Sequence, residues 1–288
     1  TTWRARSAFG WRLMRKLRAA AVQLRSGIDP VANREAAMPF LRQAAADGAR
    51  FIATPECTMV LDRDKPRMLK TIGSTQIESE IKAWGAAASE LGVWLLLGSG
   101  SIDAGNGKVW NRSFVFNPSG KVVAKYDKIN LFDVTLGGGE TYRESDTFAG
   151  GSEAVIVTGP LDAKIGLTIC YDVRFAPLYS ALARGGAEII TAPAAFTVPT
   201  GQAHWETLLR ARAIETHCYI IAPAQGGKHE DGRSTYGHSL IIDPWGKVIA
   251  ELDNDEPGYI VADLDLDAVS VAREKIPAWQ GGRNFTGP

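Results

Sequence analysis

A cysteine with the surroundings of a nucleophile follows one of the predicted strands. Cys170 comes directly after the apolar run 164–169 and precedes Tyr171, where a helix is expected to begin. At a strand-to-helix turn, backbone N–H groups point towards the reacting atom, and a helix N-terminus lowers the pKa of a thiol. This position predicts a catalytic cysteine. A buried cysteine that packs as a small apolar side chain is the alternative.

A glutamate and a lysine occupy similar positions after two other predicted strands. Glu56 follows the short apolar strand 50–54, and Lys128 lies just after the strand 121–126. A carboxylate whose pKa is raised by burial can take the proton of a thiol, and an ammonium group can stabilise an oxyanion. Taken singly, each residue is more typical of a solvated loop. Together with Cys170, they supply a base, a cation and a nucleophile without a histidine.

A fourth candidate lies in the loop 137–146, which is rich in glycine and in charge. We expect this loop to fold over the site as a lid, in which Glu144 holds Lys128 or contacts the substrate. A charged loop without a role at the site is the alternative.

Arg174 is the residue that we expect to bind a carboxylate of the substrate. It lies four residues after Cys170, so it can sit one helical turn from the nucleophile and pair with a carboxylate through two hydrogen bonds. A structural ion pair with Asp172 or Glu206 is the alternative. The other candidate walls of a substrate pocket are Phe196, Thr197 and His204.

Other catalytic classes find less support in the sequence. His204 heads a predicted helix, so a Cys–His pair is the competing mechanism. The chain contains no HExxH zinc motif, no GxSxG serine elbow and no GxGxxG dinucleotide loop. A metal hydrolase, a serine hydrolase and a dinucleotide-dependent enzyme are therefore poorly supported.

The elements that position these residues alternate between strands and helices. Strands are predicted over 17–24, 50–54, 93–98, 109–117, 121–126, 164–169, 187–193, 219–224 and 238–242, and helices over 29–47, 75–91, 171–184 and 201–217. No clear element is predicted after about residue 263. This alternation is typical of helices packed on sheets.

Two pairs of stretches repeat each other in the same order along the chain. ARFIATP at 49–55 is echoed by AEIITAP at 187–193, and FNPSGKVVA at 116–124 by IDPWGKVIA at 242–250. We therefore predict two similar α-β halves that face each other as layered sheets. Chance similarity within any alternating chain is the alternative.

Composition restricts the class of protein. Lys+Arg and Asp+Glu both number 32, so the net charge is zero, which argues against a nucleic-acid binder. Three cysteines without a CxxC pair favour a reducing, cytoplasmic location over a disulfide-stapled or zinc-bound fold. No stretch is predicted to span a membrane. Residues 1–13 are expected to be an N-terminal extension, natural or artificial, that precedes a natural start at Met14.

Three stretches together resemble the carbon–nitrogen hydrolase (nitrilase) superfamily. They are TPEC at 54–57, KYDKINLFDV at 125–134 and GLTICYDVRF at 166–175. The resemblance places the family's Glu-Lys-Cys triad on Glu56, Lys128 and Cys170, and its second active-site glutamate on Glu144. Stretches 200–229 and 236–248 resemble the Nit branch of this family.

The resemblance implies an α/β fold, namely a four-layer α-β-β-α sandwich with internal pseudo-two-fold symmetry. It implies a single domain over 14–288 that forms a homodimer or a larger homo-oligomer, without metal or organic cofactor. Neither nucleic acid nor a membrane is an expected partner. Trp279, Arg283 and Phe285 are expected to lie in a C-terminal arm on a partner subunit.

The activity implied is that of a thiol-dependent amidase, whose small-molecule substrate is a carboxylate-bearing amide such as deaminated glutathione or an ω-amide. Lys128 and the backbone N–H of Tyr171 are expected to stabilise the oxyanion. A nitrilase, an N-carbamoyl amino acid hydrolase and a catalytically silent binding protein on the same fold are the alternatives. The glycine run in the segment 131–151 departs from the family pattern and leaves the substrate open.

Overall fold

The computed structural model of the protein describes residues 15–135, 141–283 and 286–287. The predicted extension 1–13, the glycine run at 137–139 and Phe285 lie outside the described residues. No helix in these described ranges is both long enough and apolar enough to cross a membrane.

Strands and helices alternate along most of the chain, as predicted. The strands are β1 (Lys16–Gln23), β2 (Phe51–Ala53), β3 (Trp94–Gly105), β4 (Lys108–Phe116), β5 (Val122–Asp127), β6 (Asp133–Thr135), β7 (Thr141–Arg143), β8 (Phe148–Ala149), β9 (Val155–Thr158), β10 (Lys164–Leu167), β11 (Ile189–Thr191), β12 (Tyr219–Ala222), β13 (Gly226–Lys228), β14 (Ser234–Tyr236), β15 (Leu240–Ile242), β16 (Val248–Glu251) and β17 (Gly258–Asp265). The helices are α1 (Pro30–Ala46), α2 (Lys65–Ile72), α3 (Thr75–Leu91), α4 (Ala176–Arg184), α5 (Val198–Thr216) and α6 (Asp267–Lys275).

Two large sheets have the same internal order. The first runs β17-β1-β2-β3-β4-β5, with β8 paired to β4, and the second runs β9-β10-β11-β12-β15-β16. In each sheet three parallel strands are flanked by antiparallel ones. The repeated hairpins β4–β5 and β15–β16 occupy equivalent places. The predicted internal symmetry is therefore confirmed.

Alternate residues of β1 show how the layers stack. Ala20 and Val22 pack with α1 and α3 in one buried cluster, whereas Ala19 and Ala21 belong to a cluster that includes Ile165 and other residues of the second sheet. Since successive side chains of a strand point to opposite faces, the first sheet has helices on one side and a sheet on the other. Residues of α4 and α5 pack in the cluster that contains the second sheet, so this sheet is also covered by helices. The predicted α-β-β-α sandwich is therefore confirmed.

Local signals account for the well-predicted helices. The Asp29 carboxylate accepts hydrogen bonds from the N–H groups of Val31 (2.8 Å) and Ala32 (3.0 Å), which begins α1. In α3, the predicted apolar face is buried at Trp84 and Ala88. Gly92 ends this helix in the left-handed conformation that glycine adopts most easily.

The expectation that no element follows residue 263 is wrong. β17 continues to Asp265 and pairs with the whole of β1, from Lys16 opposite Asp265 to Gln23 opposite Gly258. Helix α6 follows directly. Its N-cap position is held by Leu266, which makes no capping hydrogen bond, so the usual start signal is missing. Helix α2, also unpredicted, is only eight residues long.

Candidate active site

Cys170 begins a 3-10 turn, not the predicted α-helix. The turn covers Cys170–Arg174, and α4 starts only at Ala176, so the expected helix N-terminus at the thiol is wrong. The backbone of Cys170 has φ 50°, a left-handed conformation that non-glycine residues rarely adopt. Its N–H donates to Pro193 O at 2.8 Å, which holds the strained elbow in place.

Glu56 lies beyond the end of β2 and is almost completely buried, with 4% of its surface exposed. Its Oε1 accepts hydrogen bonds from Lys128 Nζ and Asn111 Nδ2, both at 2.9 Å, and its Oε2 accepts one from Ala195 N at 2.9 Å. The segment 193–195 links this carboxylate to Cys170, because Pro193 O accepts from the N–H of Cys170 and Ala195 N donates to Glu56. The carboxylate thus binds the lysine of the predicted triad directly and is linked to its cysteine through this segment.

Lys128 is held between two glutamates. Its Nζ donates to Glu56 and also to Glu144, at 3.0 Å from Oε1 and 2.9 Å from Oε2. Glu144 is itself fixed by the N–H of Phe132, which donates to Oε2 at 2.6 Å. The structure therefore brings Glu56, Lys128, Cys170 and Glu144 together, with Glu144 against the lysine.

The charges of this cluster differ from the expected ones. Burial raises the pKa of Glu56, but the charge of Lys128 and the hydrogen bonds from its partners outweigh this effect and lower the net pKa. Burial and then the charge of Glu56 raise the pKa of Cys170 well above its usual value. Burial lowers the pKa of Lys128, but the two glutamates raise it overall. The resting site is therefore a carboxylate, an ammonium and a neutral thiol. The expected raised carboxylate pKa and lowered thiol pKa are both wrong.

These residues open onto a cavity of about 610 Å³. Its lining includes Glu56, Lys128, Glu144, Cys170, Tyr171, Arg174, Phe196 and Thr197. His204 is not one of the described lining residues. It lies on the second turn of α5, which begins at Val198, and its imidazole contacts the guanidinium of Arg174. The interpretation of His204 as a pocket wall is therefore wrong.

Arg174 is fixed by aromatic rings, and no acid within the described ranges pairs with it. Its guanidinium carbon lies 5.7 Å from the ring centre of Tyr171 and 5.5 Å from that of Phe196. Its Nη2 lies 3.3 Å from His204 Nδ1 and, because arginine has no acceptor, is the donor of this contact. The alternative ion pairs are not formed: Asp172 binds other donors, and Glu206 pairs with Arg210 at 3.2 Å.

Asp172 has a role at the site that was not predicted from the sequence. It is fully buried and accepts hydrogen bonds from Tyr126 Oη (2.6 Å), Asn130 N (2.9 Å), Asn130 Nδ2 (2.8 Å) and Ile169 N (2.9 Å). These bonds join the loop of Lys128 to the turn of Cys170. Its position two residues after the cysteine was a usable signal.

Asn111 is a second residue that sequence reasoning missed. Its side chain donates to Glu56 at 2.9 Å and lies 3.5 Å from Glu144 Oε1, so it bridges the two glutamates. Its carbonyl oxygen accepts from the N–H of Lys128 at 3.0 Å. No motif marks an asparagine in the middle of a strand, so only the fold reveals this role.

Comparison with known proteins agrees with this geometry. A family profile described as carbon-nitrogen hydrolase matches residues 18–274. The deaminated glutathione amidase of Bos taurus is 40% identical over 270 residues, which cover 92% of this chain and 81% of that protein. The deaminated glutathione amidase of a Synechocystis strain is 36% identical over 271 residues, covering 93% of this chain and 98% of the relative.

A solved structure shows the same fold. The crystal structure of the C. elegans NitFhit protein superposes with a TM-score of 0.86 at 34% sequence identity and covers 93% of this chain. This chain spans 65% of that longer protein, just under two thirds of its length. The chain therefore belongs to the carbon–nitrogen hydrolase family, as its three sequence motifs predict.

Proposed function

We propose that this protein is a cysteine amidase that hydrolyses a small carboxylate-bearing amide, such as deaminated glutathione or an ω-amide of a dicarboxylic acid. The observation that carries the proposal is the ion pair of Glu56 with Lys128 Nζ (2.9 Å) in the wall of a cavity that Cys170 also lines. The names of the bovine and Synechocystis relatives support an amide substrate of this class.

Acylation begins with the neutral thiol. Glu56 accepts the Sγ proton as Sγ attacks the amide carbonyl carbon, so the C–S bond forms without a pre-existing thiolate. The carbonyl oxygen becomes an oxyanion beside Lys128 Nζ and the N–H of Tyr171. The first hydrogen bond of the 3-10 turn runs from Asp172 N to Ile169 O at 3.1 Å. The N–H of Tyr171 lies before this bond, so the turn itself does not use it. One such donor contributes about 3 kcal/mol to the transition state.

The same carboxylate serves the remaining steps. Glu56 returns its proton to the amide nitrogen, the C–N bond breaks and the amine leaves, as ammonia when the amide is unsubstituted. Water then attacks the thioester carbon while Glu56 accepts a proton from the water. The C–S bond breaks, the proton returns to Sγ, and the carboxylic acid is released. Glu144 keeps Lys128 charged and in place throughout.

The substrate carboxylate is assigned to Arg174. This guanidinium lines the cavity on the turn of the nucleophile and forms no ion pair within the described ranges. Phe196 and Thr197 line the same part of the cavity. A carboxylate bound there would form charge-assisted hydrogen bonds with a side chain that is already oriented by its neighbours.

A cytoplasmic location is part of the proposal. Cys57, Cys170 and Cys218 are all free thiols, and a reducing environment protects a thiol nucleophile from oxidation.

We also propose that the chain forms a homodimer or a larger homo-oligomer. Ile214 on the outer face of α5 is 50% exposed and Trp245 is 57% exposed, a pattern typical of a protein contact. The predicted C-terminal arm remains a prediction. The ring of Trp279 lies 4.5 Å from the guanidinium of Arg273 in its own chain. Sedimentation of the protein and of Ile214→Glu tests this contact.

A substrate panel tests the function. We expect deaminated glutathione and ω-amides to be hydrolysed with higher kcat/KM than nitriles or N-carbamoyl amino acids, with the acid product measured by chromatography. Cys170→Ala should abolish turnover. Preference for a nitrile or a carbamoyl compound would favour the corresponding alternative, and retained turnover in Cys170→Ala would rule out the nucleophile. No turnover of any member by the unaltered protein would favour a silent binding protein.

A further inference from the structure

The two oxygens of the Glu56 carboxylate are not equally free to accept a proton. An ionised carboxylate offers about four acceptor positions, two on each oxygen. On Oε1 both positions are filled, one by Lys128 Nζ and one by Asn111 Nδ2, each at 2.9 Å. The hydrogen bonds of the described residues give Oε2 one donor, the N–H of Ala195 at 2.9 Å. The acceptor position that is left open therefore lies on Oε2.

The two oxygens also face different segments of the chain. Oε1 faces Lys128 and Asn111, whereas Oε2 faces the segment 193–195. This segment also holds the elbow of the nucleophile, because Pro193 O accepts from the N–H of Cys170 at 2.8 Å. Oε2 is thus both the oxygen on the side of Cys170 and the oxygen with an open acceptor position.

Asn111 lies on a part of the fold that can fix this arrangement. It belongs to β4, which pairs with β3 on one side and with β5 on the other. It is 3% exposed, and its carbonyl oxygen accepts from the N–H of Lys128 at 3.0 Å. Its Nδ2 also lies 3.5 Å from Glu144 Oε1. Since ionised carboxylates only accept hydrogen bonds, the amide presents its NH2 group to both glutamates. It does so without adding a second cation to the buried cluster.

We propose that Asn111 is a positioning residue, which fills the second acceptor position of Oε1 and so leaves Oε2 of Glu56 to take the proton of Cys170. In this step the S–H bond breaks, its proton moves to Oε2, and its electron pair forms the C–S bond with the carbonyl carbon of the substrate. Burial raises the pKa of Glu56, Lys128 lowers it, and the hydrogen bond from Asn111 lowers it further. The inference rests on the proposed amidase function and assigns the atom that carries the proton.

Asn111→Leu tests this role, because leucine has nearly the shape of asparagine but no donor. Oε1 can then accept a proton, so Glu56 should be neutralised at a higher pH. We expect the acid limb of kcat/KM for glutaramate to move up by about one pH unit, since a hydrogen bond to a charged group has about this value. On the plateau, kcat should fall about tenfold with KM nearly unchanged, measured by the release of glutarate in chromatography. The other titratable groups of the cluster keep their side chains: Lys128, Glu144 and Cys170.

Asn33→Leu is the matched control. Asn33 is also buried, at 7% exposed, but its amide donates to the backbone carbonyls of Gly27 and Met59. This variant should lose stability and leave the acid limb in place, whereas a purely structural role of Asn111 would make the two leucine variants alike. Asn111→Ala removes the same donor without filling its space and should move the limb in the same direction. The test therefore stands even if the fold does not accommodate the leucine.

Two results would overturn the role of Asn111 and leave the amidase function intact. One is an acid limb that neither Asn111→Leu nor Asn111→Ala moves. The other is a change confined to KM, which would show that Asn111 acts by contacting the substrate in the cavity that it lines. If the unaltered protein releases no glutarate, the amidase function and the role of Asn111 fall together.

Discussion

Lys128 Nζ lies 2.9 Å from Glu56 Oε1, although the two residues are 72 positions apart in the chain. Both side chains are buried, so each charge depends on the other for its stability in the fold. A buried ion pair adds little to the free energy of unfolding when both partners are present, because the cost of removing both charges from water cancels most of their attraction. Its loss is costly, because a charge then stays buried and unpaired. The pair therefore makes the site sensitive to single substitutions.

Lys128→Met should abolish amidase activity and lower the free energy of unfolding by about 3–5 kcal/mol, the usual effect of breaking a buried pair. Two carboxylates, Glu56 and Glu144, would be left without their cation. Arg42→Met provides a matched control, because Arg42 and Glu90 form an exposed pair at 3.3 Å, whose loss should cost less than about 1 kcal/mol. Urea unfolding measures both values. Equal losses in the two variants would contradict the account.

The activity should depend on pH in a direction set by Glu56 and Cys170. A pKa lowered from the ordinary value of 4.5 keeps Glu56 ionised when the pH falls to 4.5, and a pKa raised from the ordinary value of 9.0 keeps Cys170 protonated when the pH rises to 9.0. We therefore expect a broad plateau of kcat/KM between these limits. Alkylation of Cys170 by iodoacetamide, followed by peptide mass mapping, should accelerate only above pH 9.0. A thiol that titrates near neutral pH would disprove this charge assignment.

Asp172→Asn should lower kcat more than it changes KM. The amide replaces a carboxylate oxygen with a donor that faces other donors, so the loop of Lys128 and the turn of Cys170 lose their common partner. We expect a loss of about 1–3 kcal/mol in stability, typical of a buried unsatisfied group. Tyr126→Phe removes only one of the four bonds and should have a smaller effect on both quantities. Steady-state kinetics and thermal unfolding measure them, and an unchanged kcat in Asp172→Asn would refute the positioning role.

Gly98→Ala should displace Glu56. A Cβ at Gly98 would collide with the carbonyl oxygens of Thr54 and Pro55 and would approach Pro193 Cβ to 2.7 Å. The chain that carries Glu56 must therefore shift, and we expect lower kcat and a loss of about 1–3 kcal/mol in stability. A Cβ at Gly282 would meet none of the described atoms within 4 Å, so Gly282→Ala should be neutral. Normal turnover in Gly98→Ala would show that Glu56 tolerates this displacement.

Much of the fold could be predicted because local signals agree with the tertiary structure. Asp29 caps α1 where expected, and the repeated hairpin sequences at 116–124 and 242–250 occupy equivalent places in the two sheets. Where such signals are missing, prediction fails. Leu266 provides no capping bond before α6, and β17 is defined mainly by its pairing with the distant β1.

The candidate active site, like the fold, could be predicted only in part. The convergence of Glu56, Lys128 and Cys170 followed from residue type and from their places after strands. The charges of these three residues could not be predicted, because the pKa of each depends on burial and on neighbours that only the fold brings close. The position of His204 behind Arg174 likewise depends on how α5 packs against the turn of Cys170. Sequence spacing does not show where the face of one helix packs against a distant turn.

We expect Cys170 to carry the acyl group during turnover. Intact-protein and peptide mass spectrometry of samples quenched in acid during hydrolysis of glutaramate tests it directly. We predict a mass increase of one glutaryl group, located on the peptide that contains Cys170 and absent from Cys170→Ala. A glutaryl group on any other residue, or turnover by Cys170→Ala without a covalent intermediate, would contradict the account.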